Sequence, residues 1–388
     1  MKYMGSKRWM LKNGLGHLLD ELAPKSRRFV DLFAGSGVVS SHVASRVPIP
    51  VMAFDLQEFS AVLARAVIGR REQLDASKIW QAWLDRANKI VERIKLPVNV
   101  KFTKAYVQRC REWSESRISQ QVTRAYGGHY FSPEQAVWID ALRKALPRRE
   151  PNRTVALAAL IRAASQCAAA PGHTAQPFQP TRTAKKFLRE AWERSVTQRT
   201  EEALGELSQI SALCVGRASV TDANMAAKKL RKGDLVFIDP PYSGVHYSRF
   251  YHVLETIARG NSGPVTGVGR YPDVSRRPRS RYSVKSESVD AFRKLLKIIA
   301  EKKASAIVTF PAHECSNGLS GKEIKKIAKQ LFSVRTKTVK SKFSTLGGTQ
   351  RSEGEGNGRA ARQQAKELIL ILSPKKKARS SHITGRSQ

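Results

Sequence analysis

An apolar run that ends at two prolines is the feature of this sequence that most constrains its fold. Residues 235–238 (LVFI) predict a fully buried strand. The prolines that follow have no N–H to donate to a sheet, so the strand ends there and presents Asp239 and Tyr242 at its carboxyl end. Open α/β sheets bind their ligands at that end. The motif at residues 239–242 (DPPY) predicts either a clamp for a planar amine such as a nucleobase or a simple proline turn.

A second strand-like segment lies upstream and runs directly into a glycine turn. Residues 29–33 (FVDLF) are apolar except for Asp31, residues 35–37 are GSG, and a helical pattern begins at Val38. Glycines let the backbone approach a ligand, and the start of a helix offers free N–H groups. The dinucleotide pattern GxGxxG is incomplete because Ser40 takes its last position, so a plain tight turn remains an alternative.

An acidic residue follows the next apolar strand about twenty residues further on. Residues 51–54 (VMAF) are followed by Asp55. An acid at the tip of the second strand commonly binds ribose hydroxyls in such folds. The alternative is a cap for the helix predicted over residues 56–68, and one carboxylate can serve both purposes.

Four motifs in order resemble the Dam-type, D12-class family of N6-adenine-specific DNA methyltransferases, in its α group. They are residues 2–7 (KYMGSK), 31–37 (DLFAGSG), 54–55 (FD) and 239–242 (DPPY). The resemblance covers residues 1–70 and about 214–375. It implies an α/β fold with a Rossmann-like S-adenosylmethionine-dependent methyltransferase sheet and a mostly helical insertion. It also implies methyl transfer from S-adenosylmethionine to the N6 amine of a flipped adenine in duplex DNA.

The resemblance assigns roles to the residues that match the family motifs. The residues implied in catalysis are Asp239, Pro240 and Tyr242. The residues implied in cofactor binding are Tyr3, Lys7, Asp31, Phe33, Gly35, Ser36, Gly37, Asp55, Asp222 and Asp239. The short segment around Asp222 also fits a helix N-cap.

The chemistry of adenine explains why these residue types are needed. The exocyclic amine is neutral but a poor nucleophile, because its lone pair is delocalised into the ring. Asp239 and the carbonyl of Pro240 would each accept an N–H and favour a pyramidal nitrogen, which is electrostatic preorganisation. Tyr242 would stack on the base, which must leave the duplex to be reached. A sulfonium leaving group needs no metal, and we predict no metal site.

The composition indicates a polyanionic partner. Lys and Arg total 69 against 32 Asp and Glu, for a formal net charge of +37, and the apolar fraction of 41% fits a globular chain. A generally basic proteome is the alternative. Four cysteines without metal spacing indicate free thiols in a reducing compartment. Neither a membrane-length apolar run nor a signal peptide is visible, so we expect a cytoplasmic, nucleoid-associated protein of bacterial or phage origin.

Differences in composition and sequence pattern divide the chain into three parts. Residues 1–70 and 214–373 form the predicted catalytic domain, and the basic residues 374–388 form a tail expected to be disordered. Residues 71–213 are helical in pattern, and the resemblance implies that this insertion recognises the target site. Two turn-rich loops, 126–131 and 171–178, either contact DNA or simply connect helices, whereas the tryptophans on helix faces are predicted to lie in the core.

Basic and aromatic residues after the catalytic motif are candidates for DNA contact. Residues 262–285 lack apolar periodicity and predict a mobile basic loop that grips phosphates, with a solvated loop as the alternative. The candidate nucleic-acid-binding residues are Tyr247, Arg249, Arg276, Arg277, Arg279 and Arg281. Double-stranded DNA is the predicted partner, together with a possible cognate restriction nuclease.

Two other functions fit parts of the sequence. A second enzyme class would methylate another planar amine: RNA adenine, cytosine N4 or a protein glutamine. Cytosine N4 enzymes more often carry Ser at the position of Asp239, and glutamine methyltransferases usually carry Asn, so Asp239 favours adenine. A catalytically silent DNA-binding protein is the third possibility, and the intact DPPY and GSG motifs argue against it.

Overall fold

The computed structural model describes residues 7–98, 101–344 and 362–375, and the side chains of residues 340–344 and 362–366 lie outside the description. Tyr3, the rest of the KYMGSK motif before Lys7, and the tail beyond Lys375 therefore lie outside the described residues. Within those residues, no helix has both the length and the apolarity that crossing a membrane requires.

Nine strands occur in the described residues, seven of them in one sheet. They are β1 Arg28–Asp31, β2 Val51–Asp55, β3 Arg217–Val220, β4 Asp234–Ile238, β5 Val265–Thr266, β6 Tyr271–Pro272, β7 Ser305–Pro311, β8 Phe332–Ser344 and β9 Arg362–Pro374. The order in the large sheet is β3-β2-β1-β4-β7-β9-β8, and β5 and β6 form a separate two-stranded ribbon. Strands β3, β2, β1, β4 and β7 are parallel, whereas β9 is antiparallel to both β7 and β8. This arrangement confirms the predicted Rossmann-like α/β sheet.

The central strands β1 and β4 are buried on both faces, as their continuous apolar sequences predict. Phe29 pairs with Leu235 across these strands. Phe29, Leu235 and Phe237 pack in one hydrophobic cluster below the sheet, whereas Val30 and Val236 pack in another on the opposite face. Because the two strands are parallel and in register, the loops that follow them emerge at the same edge of the sheet.

Helices flank the sheet and build the insertion. They are α1 Arg8–Met10, α2 Gly16–Leu22, α3 Val38–Ala44, α4 Glu58–Ile68, α5 Ala76–Val91, α6 Lys104–Glu115, α7 Gln121–Tyr126, α8 Pro133–Lys144, α9 Asn152–Cys167, α10 Lys185–Trp192, α11 Val196–Ser208, α12 Ala223–Ala227, α13 Tyr247–Phe250, α14 His252–Arg259, α15 Ser288–Glu301 and α16 Gly321–Leu331. The segment Leu11–Leu15, which is kinked at Asn13 and Gly14, joins α1 to α2, and 3₁₀ turns occur at Ala23–Lys25, Val274–Arg276 and Arg281–Ser283.

The segment predicted as a helical insertion contains α5 to α11, which confirms its helical character. Trp80 and Trp83 pack edge to face in its core, as predicted, and the indole N–H of Trp83 donates to the carbonyl of Leu142 at 2.8 Å. Ser132 and Gln135 form a capping box at the start of α8. One hydrophobic cluster joins these helices to α4 and α14, so the insertion packs directly against the elements that carry the site described below.

Candidate active site

A cavity lies at the carboxyl edge of the sheet, where β1, β2 and β4 end. It brings together motifs that lie far apart in the sequence. The predicted site residues that line it are Lys7, Asp31, Phe33, Gly35, Ser36, Asp55, Asp222, Asp239, Pro240, Tyr242 and Tyr247. The cavity is therefore the place where the glycine turn, the acidic strand tip and the DPPY motif meet.

The glycine turn between β1 and α3 needs glycine for two different reasons. Gly35 and Gly37 both have positive φ angles, of 50° and 72°, which residues other than glycine rarely adopt. A Cβ on Gly37 would also lie 3.2 Å from the backbone of Ala64 in α4. Gly35 lines the cavity, whereas Gly37 is absent from its lining and serves to start α3 beneath it.

Two buried carboxylates hold the turn in place from either side. Ser40 donates to Asp31 at 2.7 Å, and burial raises the pKa of Asp31 to about 7. Asp55 accepts the N–H of Gly35 at 2.8 Å and that of Gln57 at 3.0 Å, and burial raises its pKa above the ordinary value. Asp55 is not the cap of α4, because the N-cap position belongs to Gln57.

Asp222 satisfies both of its sequence interpretations. Its carboxylate caps α12 by accepting the N–H groups of Asn224 and Met225, at 2.9 and 3.2 Å. The same residue lines the cavity on the side of β3. A helix cap and a wall of the site are therefore one residue here.

Asp239 is fixed by two donors, both at Oδ1. Lys7 Nζ lies 3.0 Å away and the hydroxyl of Thr309 donates at 2.8 Å. Lys7 also lies 3.3 Å from Glu367 Oε2 on β9, so one buried ammonium bridges two carboxylates. Burial alone would lower the pKa of Lys7, but Asp239 and Glu367 outweigh it and raise that pKa. Burial raises the pKa of Asp239, Glu367 adds to the rise, and Lys7 opposes it.

The DPPY turn is held from below by a buried amide. Asn317 is fully buried, and its Nδ2 donates to the carbonyls of Pro241 at 2.8 Å and Tyr282 at 2.9 Å. Tyr282 in turn packs edge to face against Phe33, with ring centroids 5.0 Å apart. The turn and an aromatic wall of the cavity are therefore set by one side chain.

Four of the residues that shape the site were missed by sequence reasoning: Thr309, Asn317, Tyr282 and Glu367. Thr309 offered a signal, since it is a polar residue inside the apolar run of β7. Asn317 and Glu367 act through contacts with residues distant in sequence, and nothing in their own neighbourhoods indicates those contacts.

The arginines proposed for DNA contact lie outside the cavity lining and fall into two groups. Arg249 and Arg277 lie over the ring of Tyr271, at 4.6 and 5.6 Å from its centroid. Arg279 and Arg281 form ion pairs with Glu287, and Arg281 also pairs with Asp290 at 3.2 Å. Arg276 is exposed, and within the described residues neither Arg276 nor Arg277 has a carboxylate within 4.0 Å. Residues 262–285 carry the β5–β6 ribbon and two 3₁₀ turns rather than an irregular loop.

The first of the two turn-rich loops of the insertion, residues 126–131, contributes its aromatic rings to the core, whereas Phe178 in the second loop is half-buried. Tyr126, Tyr130 and Phe131 are fully buried. The hydroxyl of Tyr130 lies 2.7 Å from the carbonyl of Thr174 and 2.9 Å from that of Gly269. These rings join the insertion to the β5–β6 ribbon, so they are packing contacts rather than exposed ones.

The sheet order, the cavity at its carboxyl edge and the DPPY turn define a methyltransferase of the Rossmann-like class. A family model for the D12 class N6 adenine-specific DNA methyltransferase matches residues 3–309. The chain belongs to this family, and it is a site-specific DNA adenine methyltransferase. Of the functions that the sequence left open, methylation of adenine in DNA is the one confirmed. Methyltransferases of this family use S-adenosylmethionine in general.

Three curated relatives are modification enzymes. The type II methyltransferase M.NlaIII of Neisseria lactamica is 27% identical over 315 residues, which cover 76% of this chain and 80% of the relative. Modification methylase StsI of Streptococcus sanguinis is 26% identical over 77% of this chain, and type II methyltransferase M.FokI of Planomicrobium okeanokoites is 26% identical over 76%. The alignments cover 42% of each of the latter two enzymes.

Proposed function

We propose that this cavity holds S-adenosylmethionine beside an adenine flipped out of duplex DNA, and that Asp239, Pro240 and Tyr242 act on that adenine. The observation that carries the proposal is the position of Asp239. Its carboxylate lines the same cavity as Asp31 and Asp55, and its Oδ1 is already fixed by Lys7 and Thr309.

The residues around the cavity fit the chemistry of S-adenosylmethionine. That molecule carries a cationic sulfonium, an ammonium group, two ribose hydroxyls and an adenine ring. Asp31 and Asp55 offer carboxylates, and Phe33 with Tyr282 offers aromatic faces. The residues we assign to cofactor binding are Tyr3, Lys7, Asp31, Phe33, Gly35, Ser36, Gly37, Asp55, Asp222 and Asp239.

The protein groups prepare the amine rather than deprotonate it in advance. When bound, S-adenosylmethionine supplies the methyl group from its sulfonium, and the rest of the molecule leaves as a neutral thioether. Because both contacts that Asp239 makes with charged or hydroxyl groups of the described residues fall on Oδ1, we assign Oδ2 as the acceptor of one N6 hydrogen. The carbonyl of Pro240 accepts the other, and the anchoring of Pro241 by Asn317 fixes that carbonyl in advance. Asp239 then accepts the proton that N6 loses and releases it to solvent.

The base itself is held by the aromatic side chains at the mouth of the cavity. Tyr242 and Tyr247 lie edge to face with ring centroids 6.5 Å apart, and both line the cavity. We assign Tyr242 to stacking on the flipped adenine and Tyr247 to supporting it.

Phosphate contacts come from arginines of α13 and of the basic segment, residues 262–285, beside this mouth. We assign them to Arg249, Arg276 and Arg277, with Arg279 and Arg281 in a lesser role because Glu287 already neutralises them in part. Residues 71–213 would read the target sequence. The net charge of +37 supports a polyanionic partner.

The biological setting follows from the relatives and is proposed on that basis. M.NlaIII and M.FokI are named as type II methyltransferases. We infer that this chain marks one DNA sequence, that a cognate restriction nuclease reads the mark, and that the enzyme acts in the cytoplasm, where the DNA is.

A labelled-methyl assay tests the proposal. Wild-type protein is incubated with methyl-labelled S-adenosylmethionine and duplex DNA or RNA, and the digested nucleosides are separated. We expect label in N6-methyladenine from DNA, no label with Asp239→Ala, and full activity with Asp20→Ala, an acid that pairs with His42 away from the cavity. Label in RNA alone or in cytosine, or full activity of Asp239→Ala, would contradict the proposal.

A further inference from the structure

The start of helix α4 is capped by a residue from a distant helix. Gln57 occupies the N-cap position but makes no side-chain capping bond. The carboxylate of Glu255 in α14 takes its place, with Oε1 accepting the N–H of Glu58 and Oε2 that of Phe59, each at 3.1 Å. The first turn of α4 is thereby satisfied by both oxygens of one side chain.

Glu255 is buried and fixed by its surroundings. Only 7% of the residue is exposed, and Arg259 Nε lies 2.6 Å from its Oε1. Phe59 and Tyr251 pack together beside it, with ring centroids 5.6 Å apart. A charge-assisted hydrogen bond in such a site is stronger than one between neutral groups, and losing it leaves two buried N–H groups without an acceptor.

The two helices that Glu255 joins carry the two halves of the cavity. Helix α4 follows Asp55, which holds the glycine turn through Gly35 and is assigned to the cofactor ribose. Helix α14 follows the DPPY turn through α13. The short path from Glu255 to Asp55 runs through the backbone of residues 56–58 alone.

We propose that Glu255 is a positioning residue for cofactor binding, because its carboxylate sets the Asp55 loop relative to the DPPY turn through the first turn of α4. Glu255 does not line the main cavity, so it acts on the cofactor through Asp55 rather than by contact. The inference rests on the proposed function, since it takes S-adenosylmethionine to bind at Asp55. It predicts that the loss of the Glu255 carboxylate lowers the affinity for the cofactor more than it lowers the stability of the folded chain.

Asp140 supplies a matched control. Its carboxylate caps α7 from α8 in the same manner, accepting the N–H groups of Val122 at 3.0 Å and Thr123 at 2.8 Å. It lies half-buried in the insertion and does not line the cavity. Asp140→Asn and Glu255→Gln therefore remove the same kind of interaction, and only Glu255 is connected to Asp55.

Calorimetric titration with S-adenosylmethionine, alone and with duplex DNA, tests the inference on the full chain. We expect Glu255→Gln to raise the dissociation constant of S-adenosylmethionine about tenfold and to leave that of DNA nearly unchanged. Glu255→Asp, whose shorter side chain withdraws the carboxylate from both N–H groups, should give an increase at least as large in the same direction. Asp140→Asn should lower the melting temperature and leave the affinity for S-adenosylmethionine at the wild-type value.

The outcomes separate this inference from the function on which it rests. If the wild-type protein does not bind S-adenosylmethionine, both are overturned. If the wild type binds it and folded Glu255→Gln and Glu255→Asp bind it equally well, the positioning role alone is overturned. An equal loss of affinity in Asp140→Asn would also overturn it, because the effect would then belong to any lost helix cap.

Discussion

Lys7 and Asp239 lie in direct contact at the floor of the cavity, with Nζ 3.0 Å from Oδ1. The ammonium is 5% exposed and also bridges to Glu367 at 3.3 Å. A buried cation from the N-terminal segment therefore opposes the rise in pKa that burial and Glu367 impose on Asp239, the carboxylate on which the proposed chemistry depends.

Lys7→Met should make catalysis depend on pH. Removing the cation leaves Asp239 beside Glu367 without compensation, so the pKa of Asp239 rises further and the carboxyl stays protonated to higher pH. We expect kcat/KM near pH 7 to fall by about 10–100-fold and to recover in part as pH rises. Rate profiles against pH check this, with Lys25→Met, which removes an exposed lysine paired with Glu21, as control. An equal loss at every pH would show that Lys7 does not tune Asp239.

Asn317→Asp should slow the chemical step more than it weakens cofactor binding. The change replaces the Nδ2 amide, which donates to the carbonyls of Pro241 and Tyr282, with an oxygen that faces both carbonyls and cannot donate. Small misplacement of reacting groups can cost about 100-fold, so we expect kcat to fall by about 10–100-fold. Single-turnover rates at saturating S-adenosylmethionine measure this. Asn13→Asp, which alters an exposed amide bonded to the carbonyl of Trp9, should keep the wild-type rate.

The two pairs of arginines in the basic segment should differ in their salt dependence. Each phosphate neutralised contributes about 0.9 to the slope of log affinity against log salt concentration. The double change Arg276→Ala with Arg277→Ala should reduce that slope by up to about two, because neither residue has a carboxylate within 4.0 Å in the described part of the chain.

The matching double change Arg279→Ala with Arg281→Ala should reduce the slope less. These side chains already pair with Glu287, so their loss should remove fewer phosphate contacts, and breaking such exposed ion pairs should change the melting temperature little. DNA binding measured over a range of salt concentrations distinguishes the pairs. Equal slopes for both double variants would contradict the assignment.

Asp31 should contribute to the stability of the ligand-free protein an amount that falls as pH rises. The folded chain keeps the proton on Asp31 up to about pH 7, whereas the unfolded chain loses it near 3.8. The folded state therefore binds more protons between these values, and its advantage is lost as pH rises through about 7.

Two substitutions test this contribution with denaturant unfolding across pH 4 to 8. Asp31→Asn removes the titrating group, so the variant should lack this pH-dependent contribution to the unfolding free energy. Ser40→Ala removes the hydrogen bond that lowers the pKa of Asp31, so the fall should extend to higher pH. An unchanged pH dependence in both variants would refute the role of Asp31.

The parts of the fold that depend on local sequence were accessible from the sequence. Residues 235–238 are apolar at every position, and β4 is buried throughout. The positive φ of Gly35 and Gly37 follows from the need of a tight turn between β1 and α3. Glu287 and Asp290 stand in the sequence close to Arg279 and Arg281, so their ion pairs could have been anticipated.

The contacts that complete the site were not accessible, because they join distant segments. Glu255 caps α4 although the whole insertion lies between them in the sequence, and Glu367 contacts Lys7 from the last strand. An isolated Glu in a helix or a strand has the same local pattern whether it is solvated or buried against a partner. Such contacts depend on how the elements pack, which the sequence pattern of one element does not determine.

Single-molecule sequencing of DNA from methylation-deficient cells that express the protein tests the central claim most directly, because it reports the modified base and its sequence context together. Cells with the wild-type chain should carry N6-methyladenine at one short recurring sequence, and cells with Asp239→Ala should carry none. Unmodified DNA in cells with the wild-type chain, modification of cytosine instead of adenine, or equal methylation with Asp239→Ala would contradict the account.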